Sequence, residues 1–435
     1  MNNKKILALA TGALLWMSSC TGASDLDKLP EAAVRTQQAI TETVSSLEGH
    51  DGYWRLTYYP DSKRAYGGYS MYVQFKEGRV TALSELSTTS TNSTYAVRNI
   101  DMPTLAFDTR SNVLHHFSTS TEYFRNARGG DFELLLMGKR GDSIILQGRK
   151  YRNMMSLVPM TTDPMAEITA LQEMAKKFQG KGLAPVTIGS AGKVELRLHP
   201  TYRQLEFILA GEGTETKKEQ MAFAYTTEGF RLYEPITIGG VKISGFRLSA
   251  DGASITSLEG DVTTTLVSLP IDLVGKSYVA HLVTDHASSG LITYFTRVNK
   301  SLYSQRKARM STRTYFGVNT EADQKTGLVG NDTQVTGFIT MPIYEQADGS
   351  YTRLSYEADF VPVGSDPTQI DVLLRDGNET TWWYWYAGSA DYWVSRLGSR
   401  APYKVETLTD ADGAAYYKLT SVKDDKTWFY LYEVK

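Results

Sequence analysis

The sequence predicts a mainly β protein with two short helices: a barrel or sandwich in the N-terminal region and a second, C-terminal β-rich domain. Three observations predict this fold class. Tight-turn dipeptides separate short runs of alternating or β-branched residues, and such dipeptides supply the positive φ angles that hairpins require. Tyrosine (27) and glycine (36) are frequent, whereas charged residues make up only 22%. Short strands at regular spacing favour a sandwich or barrel over a parallel sheet.

The predicted hairpins follow one another along the chain. Residues 69–75 and 79–83 flank the turn Glu77-Gly78, and residues 132–136 and 143–147 flank Gly141-Asp142. Because side chains alternate between the two faces of a strand, each pair predicts two neighbouring antiparallel strands. Further turn dipeptides are Glu228-Gly229, Gly239-Gly240, Asp251-Gly252, Asp348-Gly349, Asp376-Gly377 and Asp412-Gly413.

Two segments depart from the strand pattern. Apolar residues recur at helical spacing near residues 30–47 and 164–179. Before the second segment, Asp163 is a predicted N-cap and Pro164 occupies the first helical position. Gly180, Gly182 and Pro185 then end that helix. We interpret both apolar stripes as packing faces and not as ligand sites.

The N-terminus has the layout of an export signal. Lys4 and Lys5 precede an apolar stretch at residues 6–17, which is too short to span a bilayer. The pair Ser18-Ser19 then precedes Cys20, as in the lipobox of bacterial lipoproteins, although Met17 replaces the usual leucine. The sequence therefore predicts a signal peptide at 1–19 and a lipidated tether at 20–28. An ordinary secretory signal with a chance cysteine is the alternative.

Lipidation would attach diacylglycerol to the Cys20 thiol and commonly a further acyl chain, such as palmitate, to its amine. Several acyl chains anchor a protein stably where one is marginal. Because Cys20 is the only cysteine, its lipidation excludes disulfides, thiol chemistry and cysteinyl metal sites. An acidic stretch with Asp25 and Asp27 follows, and it resembles surface-export signals of Bacteroidota lipoproteins; a solvated acidic tether has the same composition.

The expected domains are a β-rich domain at 29–270, which includes both helices, and a C-terminal β-rich domain at 276–435. The boundary is placed at Leu269-Pro270, after which a strand pattern starts again. The C-terminal part holds five of the seven tryptophans, which is sufficient for a core of its own.

A series of aromatic, glycine-containing and charged elements runs through residues 30–260. The elements are Trp54-Arg55-Leu56, Tyr58-Tyr59-Pro60, Tyr66-Gly67-Gly68-Tyr69-Ser70-Met71, Phe75, Ser84-Glu85, Leu105-Ala106-Phe107-Asp108, Leu114-His115-His116-Phe117, Gly130-Asp131-Phe132-Glu133 and Gln147-Gly148-Arg149-Lys150, followed by Met154 and Leu157. In this order they resemble the domain-of-unknown-function family 4302 of Bacteroidota lipoproteins. The C-terminal third carries less of the likeness.

The resemblance implies an outer-membrane lipoprotein encoded near TonB-dependent receptors and SusD-like binding proteins, and it supplies no catalytic residues. The elements themselves predict a lipocalin-like barrel or half-barrel in which Trp54 and Phe75 plug one end. Asp131 and Glu133 face Arg149 and Lys150 across a predicted hairpin, which favours cross-strand ion pairs over a site.

Recognised catalytic motifs are missing from the sequence. The six histidines form no helical zinc motif, and His281 and His286, five residues apart, would face opposite sides of a strand. Ser304 and Lys307 fit a Ser-x-x-Lys pattern without its companion motifs. No metal or cofactor is expected, and a net charge of −2 provides no field for nucleic acid. Enzyme activity is the less favoured interpretation.

One aromatic run favours ligand binding. On a strand its rings would point to both faces, and exposed aromatic rings stack on sugars. The alternative is that a core covers one face and a loop or domain the other. The candidate ligand-binding residues are Trp382, Trp383, Tyr384, Trp385 and Tyr386, with Trp393 nearby. Separately, Asp142-Ser143-Ile144 resembles an O-glycosylation sequon at Ser143, although an ordinary turn explains it as well.

Together these features predict a surface-exposed, non-enzymatic lipoprotein that binds a nutrient, such as a glycan or glycopeptide, beside a TonB-dependent receptor or a SusD-like protein. A structural partner that assembles a receptor complex is the first alternative. A hydrolase whose site forms only in three dimensions is the second.

Overall fold

Antiparallel strands form three successive β-sheets in the computed structural model, which describes residues 32–120, 127–210, 216–318, 337–345, 351–377 and 389–434. The mainly β fold predicted from the sequence is confirmed. Four α-helices lie in the described parts of the chain, whereas the sequence predicted two. They are α1 (Ala32–Glu48), α2 (Pro164–Phe178), α3 (Ser289–Arg306) and α4 (Asp391–Arg400).

The first sheet is a closed barrel of eight strands, each antiparallel to the next in sequence. The pairing of the first strand with the eighth closes it, which produces the up-and-down order typical of lipocalins. Its strands are β1 (Trp54–Tyr58), β2 (Tyr69–Lys76), β3 (Arg79–Ser84), β4 (Ser87–Asn99), β5 (Pro103–Phe107), β6 (Glu133–Arg140), β7 (Ser143–Gly148) and β8 (Met154–Pro159).

Side chains fill the interior of this first barrel, because every second residue of a strand points inward. At one end the indole of Trp54 donates a hydrogen bond to the carbonyl of Leu47 in α1 (3.3 Å), and Phe75 is buried nearby. At the other end Phe117 stacks on Tyr58, with ring centroids 5.8 Å apart. Both ends are therefore plugged by aromatic side chains, in contrast to the open ligand cavity of a lipocalin.

One of the two carboxylates predicted to form cross-strand ion pairs does so. The Arg149 Nη1 lies 2.7 Å from the Glu133 carboxylate, which is the expected ion pair. Asp131 instead accepts hydrogen bonds from the backbone N–H groups of Lys150 and Tyr151, both at 2.9 Å. Asp131 is buried, and these two hydrogen bonds order the turn between β7 and β8. Among the described residues it forms no ion pair.

The second sheet has nine strands and curls until β9 approaches β11. Helix α2 packs on it through Ile168, Leu171 and Phe178. As predicted, the Asp163 carboxylate caps this helix by accepting a hydrogen bond from the N–H of Met165 (2.9 Å). The strands are β9 (Lys181–Leu183), β10 (Val186–Thr187), β11 (Lys193–His199), β12 (Gln204–Ala210), β13 (Thr216–Thr226), β14 (Gly229–Ile238), β15 (Val241–Leu248), β16 (Ser254–Ser257) and β17 (Thr263–Ser268).

The third sheet closes into a ring of eight strands because β21 pairs with both β20 and β22. The short strand β19 pairs with the same edge of β21 as β20 does, at the other end of that strand. Helices α3 and α4 contribute to its core. Among the described residues, no helix combines the length and apolar character needed to cross a membrane. The strands are β18 (Ser277–His281), β19 (Ala308–Met310), β20 (Arg313–Gly317), β21 (Phe338–Glu345), β22 (Tyr351–Val363), β23 (Asp366–Gly377), β24 (Tyr403–Thr409), β25 (Ala415–Ser421) and β26 (Trp428–Glu433).

A buried ion pair joins the first barrel to the second sheet. The Arg203 guanidinium lies 2.8 Å from the Glu85 carboxylate, and the two side chains are only 7% and 2% exposed. The same guanidinium lies 3.9 Å above the ring of Tyr69. Gly67, at φ +75°, allows the two units to meet, because a side chain there would collide with Arg203.

Candidate ligand-binding surface

The outer wall of the third barrel carries a set of partly exposed aromatic rings. Along β26 the residues alternate: Phe429 and Leu431 are buried in the barrel core, whereas Trp428, Tyr430 and Tyr432 are half-buried on the opposite face. A period of two is what a barrel strand with one buried face requires. We call the set Tyr416, Trp428, Tyr430 and Tyr432, with His281 and His286, the aromatic face.

The rings of the aromatic face contact one another across strands. Tyr416 on β25 is the register partner of Tyr432 on β26, and their rings stack with centroids 5.3 Å apart. The ring of Tyr430 lies 5.4 Å from that of Tyr416 and 5.2 Å from that of Trp428. These mutual contacts hold the rings in place, so a ligand would meet a preformed surface.

Two histidines border the aromatic face. His281 ends β18 and His286 lies in the loop that follows, with ring centroids 5.9 Å apart. The predicted placement on opposite sides of one strand is wrong, because the strand stops at His281 and the chain turns through Asp285, at φ 72°. His286 Nδ1 lies 2.9 Å from the hydroxyl of Tyr432, within hydrogen-bond distance.

The environment shifts the pKa values of two side chains of the aromatic face, His281 and Tyr432. Burial, with smaller contributions from Arg313 and His286, lowers the pKa of His281, which favours its uncharged imidazole. Burial first, and then the neighbouring Tyr416 and Tyr430, raises the pKa of Tyr432. The face therefore offers uncharged imidazole and phenol groups, which both donate and accept hydrogen bonds.

Cationic side chains border the rings. The Lys418 ammonium lies 5.4 Å from the centroid of the Trp428 ring, and Arg313 is the exposed register partner of His281. In the described ranges there is no group of three or more His, Cys, Asp or Glu side chains arranged to hold a metal ion. Aromatic rings with polar groups at their margin suit binding by stacking and hydrogen bonding.

Most of the candidate site residues named from the sequence fall outside the part of the chain that the structure describes. Trp382, Trp383, Tyr384, Trp385 and Tyr386 lie outside the described residues, as does Cys20. Ser143 begins β7, directly after the exposed turn residue Asp142 of the β6–β7 hairpin.

Trp393 requires a correction. It was a candidate ligand-binding residue, but it lies on α4 and is fully buried. Its indole N–H donates to Thr314 Oγ1 (3.3 Å), and its ring meets Phe295 edge-on at 5.1 Å. The amphipathic α4 turns this face inward, so Trp393 belongs to the core of the third barrel and is not available to a ligand.

Sequence reasoning missed the aromatic face, although a signal was present. The segment from Trp428 to Tyr432 places three aromatic residues at every second position, with Phe429 and Leu431 between them. Within a closed barrel this pattern leaves only one aromatic row outside. The contribution of Tyr416 depends on the register between β25 and β26, which the sequence does not show.

Comparison with known proteins identifies the N-terminal half of the chain. The family model described as a domain of unknown function, DUF4302, matches residues 30–250. The matched region contains the whole first barrel, α2 and most of the second sheet, and the aromatic face lies beyond it. A search of curated proteins found no match. Because the match spans half of the chain, this protein belongs to the DUF4302 family.

Proposed function

We propose that this protein is an outer-membrane lipoprotein, exposed at the cell surface through a lipid on Cys20, that binds a carbohydrate nutrient without altering it. The aromatic face is the binding surface, and the chain serves as an accessory beside a TonB-dependent uptake system. The observation that carries this proposal is the set of interlocked, half-exposed rings on the outer wall of the third barrel.

The chemistry of the aromatic face matches a sugar. Aromatic rings offer their apolar surfaces to the C–H groups of a pyranose, and clustered exposed rings mark interaction sites. Tyr430 and Tyr432 add phenolic hydroxyl groups, and His281 adds a neutral imidazole, which bond to sugar hydroxyls. A hydrolase would need in addition two placed carboxylates. Glu433, one of the exposed acids near these rings, is engaged by Lys276, at 2.9 Å.

Replacing Trp428 or Tyr430 with alanine is expected to weaken glycan binding at least about tenfold, because ring residues dominate such interfaces. A glycan array with purified protein identifies the ligand, and affinity electrophoresis measures each variant against it.

Tyr392→Ala is the matched control, since this tyrosine is 58% exposed on α4 and lies outside the aromatic face. It should bind like the unchanged protein. The proposal fails if no glycan binds, or if Trp428→Ala and Tyr430→Ala fold and bind normally. A protein that binds no glycan but copurifies with a receptor would support the role of an assembly partner instead.

Cys20→Ser is expected to abolish lipid attachment, because the serine hydroxyl does not replace the thiol as the acceptor of the diacylglyceryl group. Metabolic labelling with radioactive palmitate should mark the unchanged protein and leave the variant unlabelled and outside the membrane fraction. Protease treatment of whole cells then tests surface exposure. Equal labelling of both proteins would exclude Cys20 as the anchor.

A further inference from the structure

A groove separates the outer wall of the first barrel from strands β13 and β14 of the second sheet. Its volume is about 680 Å³, which lies within the usual range for sites that bind small molecules. Tyr59 and Ala224 form part of its buried floor. The groove is remote in sequence from the aromatic face, which is built from the third barrel.

An irregularity in β14 shapes one wall of the groove. Arg231 pairs with Gly245 and Ile236 with Ile243, so four residues of β14 stand opposite one residue of β15. Such a bulge redirects side chains, and bulges are frequent beside functional sites. Tyr233 within the bulge packs edge-on against Tyr59, with ring centroids 4.7 Å apart, and its hydroxyl accepts a hydrogen bond from the N–H of Met154 (2.9 Å). These contacts fix the bulge against the barrel and keep the groove open beside it.

The groove contains more positively charged side chains than negatively charged ones once its ion pair is set aside. Arg55 is paired with Glu167 at 2.7 Å. Arg140 on the barrel wall and Arg231 on the opposite wall both line the groove and are exposed. Over the described ranges, neither of these two arginines takes part in an ion pair. Glu234 is the one remaining acid that lines the groove, so two free guanidinium groups face a single free carboxylate.

The barrel wall of the groove offers hydroxyl groups and no free strand edge. Strands β1, β7 and β8 are each paired on both sides in the closed barrel, so an extended peptide finds no free strand edge on that wall. The barrel wall offers the hydroxyl groups of Thr57 and Ser156, and the facing wall offers those of Thr226 and Thr227. A ligand rich in hydroxyl groups matches such a lining better than a peptide does.

We propose that this groove is a second binding site, specific for oligosaccharides that carry carboxylate or sulfate groups. Arg140 and Arg231 would hold the anionic groups by forked, charge-assisted hydrogen bonds. Thr57, Ser156 and Thr226 would bond to the sugar hydroxyls. This site stands independently of the aromatic face and of the lipid anchor.

Isothermal titration calorimetry of the mature protein tests the proposal, with trigalacturonate as the carboxylated probe, a carrageenan tetrasaccharide as the sulfated probe and maltotriose as the neutral one. We expect at least one anionic probe to bind in the groove, and added salt to weaken that binding. Maltotriose, which carries no charge, should not bind in the groove. The double variant Arg140→Ala/Arg231→Ala should lose at least about tenfold in affinity. The double lysine variant should fall between the two, because lysine keeps the charge without the fork.

Arg79→Ala is the matched control, since Arg79 is an exposed arginine of the same barrel that does not line the groove. Its affinity should be unchanged. Trp428→Ala should also bind the anionic probes normally, which separates this site from the aromatic face. The proposal is overturned if neither anionic probe binds, if the double alanine variant folds and binds normally, or if Trp428→Ala removes the binding.

Discussion

Replacing Arg203 with alanine is expected to lower the free energy of unfolding by about 3–5 kcal/mol, because it leaves the buried Glu85 carboxylate without its partner. The two side chains form two hydrogen bonds, Nη1 to Oε1 at 3.1 Å and Nη2 to Oε2 at 2.8 Å. Glu85 also accepts a hydrogen bond from the N–H of Ser70 (2.6 Å). Denaturation in guanidinium chloride, followed by tryptophan fluorescence and circular dichroism, measures the loss.

The double variant Arg203→Met/Glu85→Leu is the matched control for this ion pair. Replacing both charges with apolar groups leaves no uncompensated charge, so it should destabilise much less than Arg203→Ala alone. If the two proteins unfold at the same denaturant concentration, the loss comes from packing around Tyr69 and not from the buried charge.

Replacing Trp393 with alanine is expected to cost about 3–5 kcal/mol in unfolding free energy, the usual range for removing a large aromatic side chain from a core. Trp393 is 0% exposed. Its removal would leave a cavity between α3 and α4 and leave the Thr314 hydroxyl, also buried, without the indole partner.

Tyr392→Ala is the control, because this neighbour on α4 is 58% exposed and surface substitutions usually stay within about 0.5 kcal/mol. Guanidinium chloride denaturation followed by circular dichroism compares the two variants. If Trp393→Ala is as stable as Tyr392→Ala, Trp393 is not a core residue in solution.

Local patterns in the sequence predicted the elements that depend on near neighbours. Asp163 and Pro164 mark the start of α2, and the turn dipeptides mark hairpins such as β2–β3 and β6–β7. These features follow from the φ angles of glycine, the missing N–H of proline and capping by a carboxylate. Each acts over a few residues and is therefore visible in the sequence.

Helices α3 and α4 were not predicted, because their local sequence signals are weak and tertiary packing stabilises them. The buried residues of α3 are Leu291, Phe295, Val298 and Leu302, which do have helical spacing. Its β-branched and aromatic residues lower helix propensity, and packing against the third barrel outweighs that preference. In α4, Trp393 and Leu397 lie four residues apart on the buried face of a helix of only 10 residues.

The structure shows packing roles for the family-like elements that their residue types alone did not indicate. The pair Gly67-Gly68 is one of these elements, and in the folded chain it lies against Arg203 and Tyr59. Glu85, which carried no expected role, anchors Arg203 across more than a hundred residues of chain. Phe117 plugs one end of the first barrel. These elements hold the first barrel closed and attach it to the second sheet.

The sequence by itself determined the β-rich class, the hairpins, the capped helix α2 and an N-terminal segment with the features of a lipid-anchor signal, because each depends on residues close together in the chain. The tertiary structure alone decided that two sheets close into barrels, that Trp393 is buried and that His281 meets His286. It also decided which rings form the aromatic face and which arginines line the groove. Strand register and contacts between sheets set these features, and both join residues far apart in the chain.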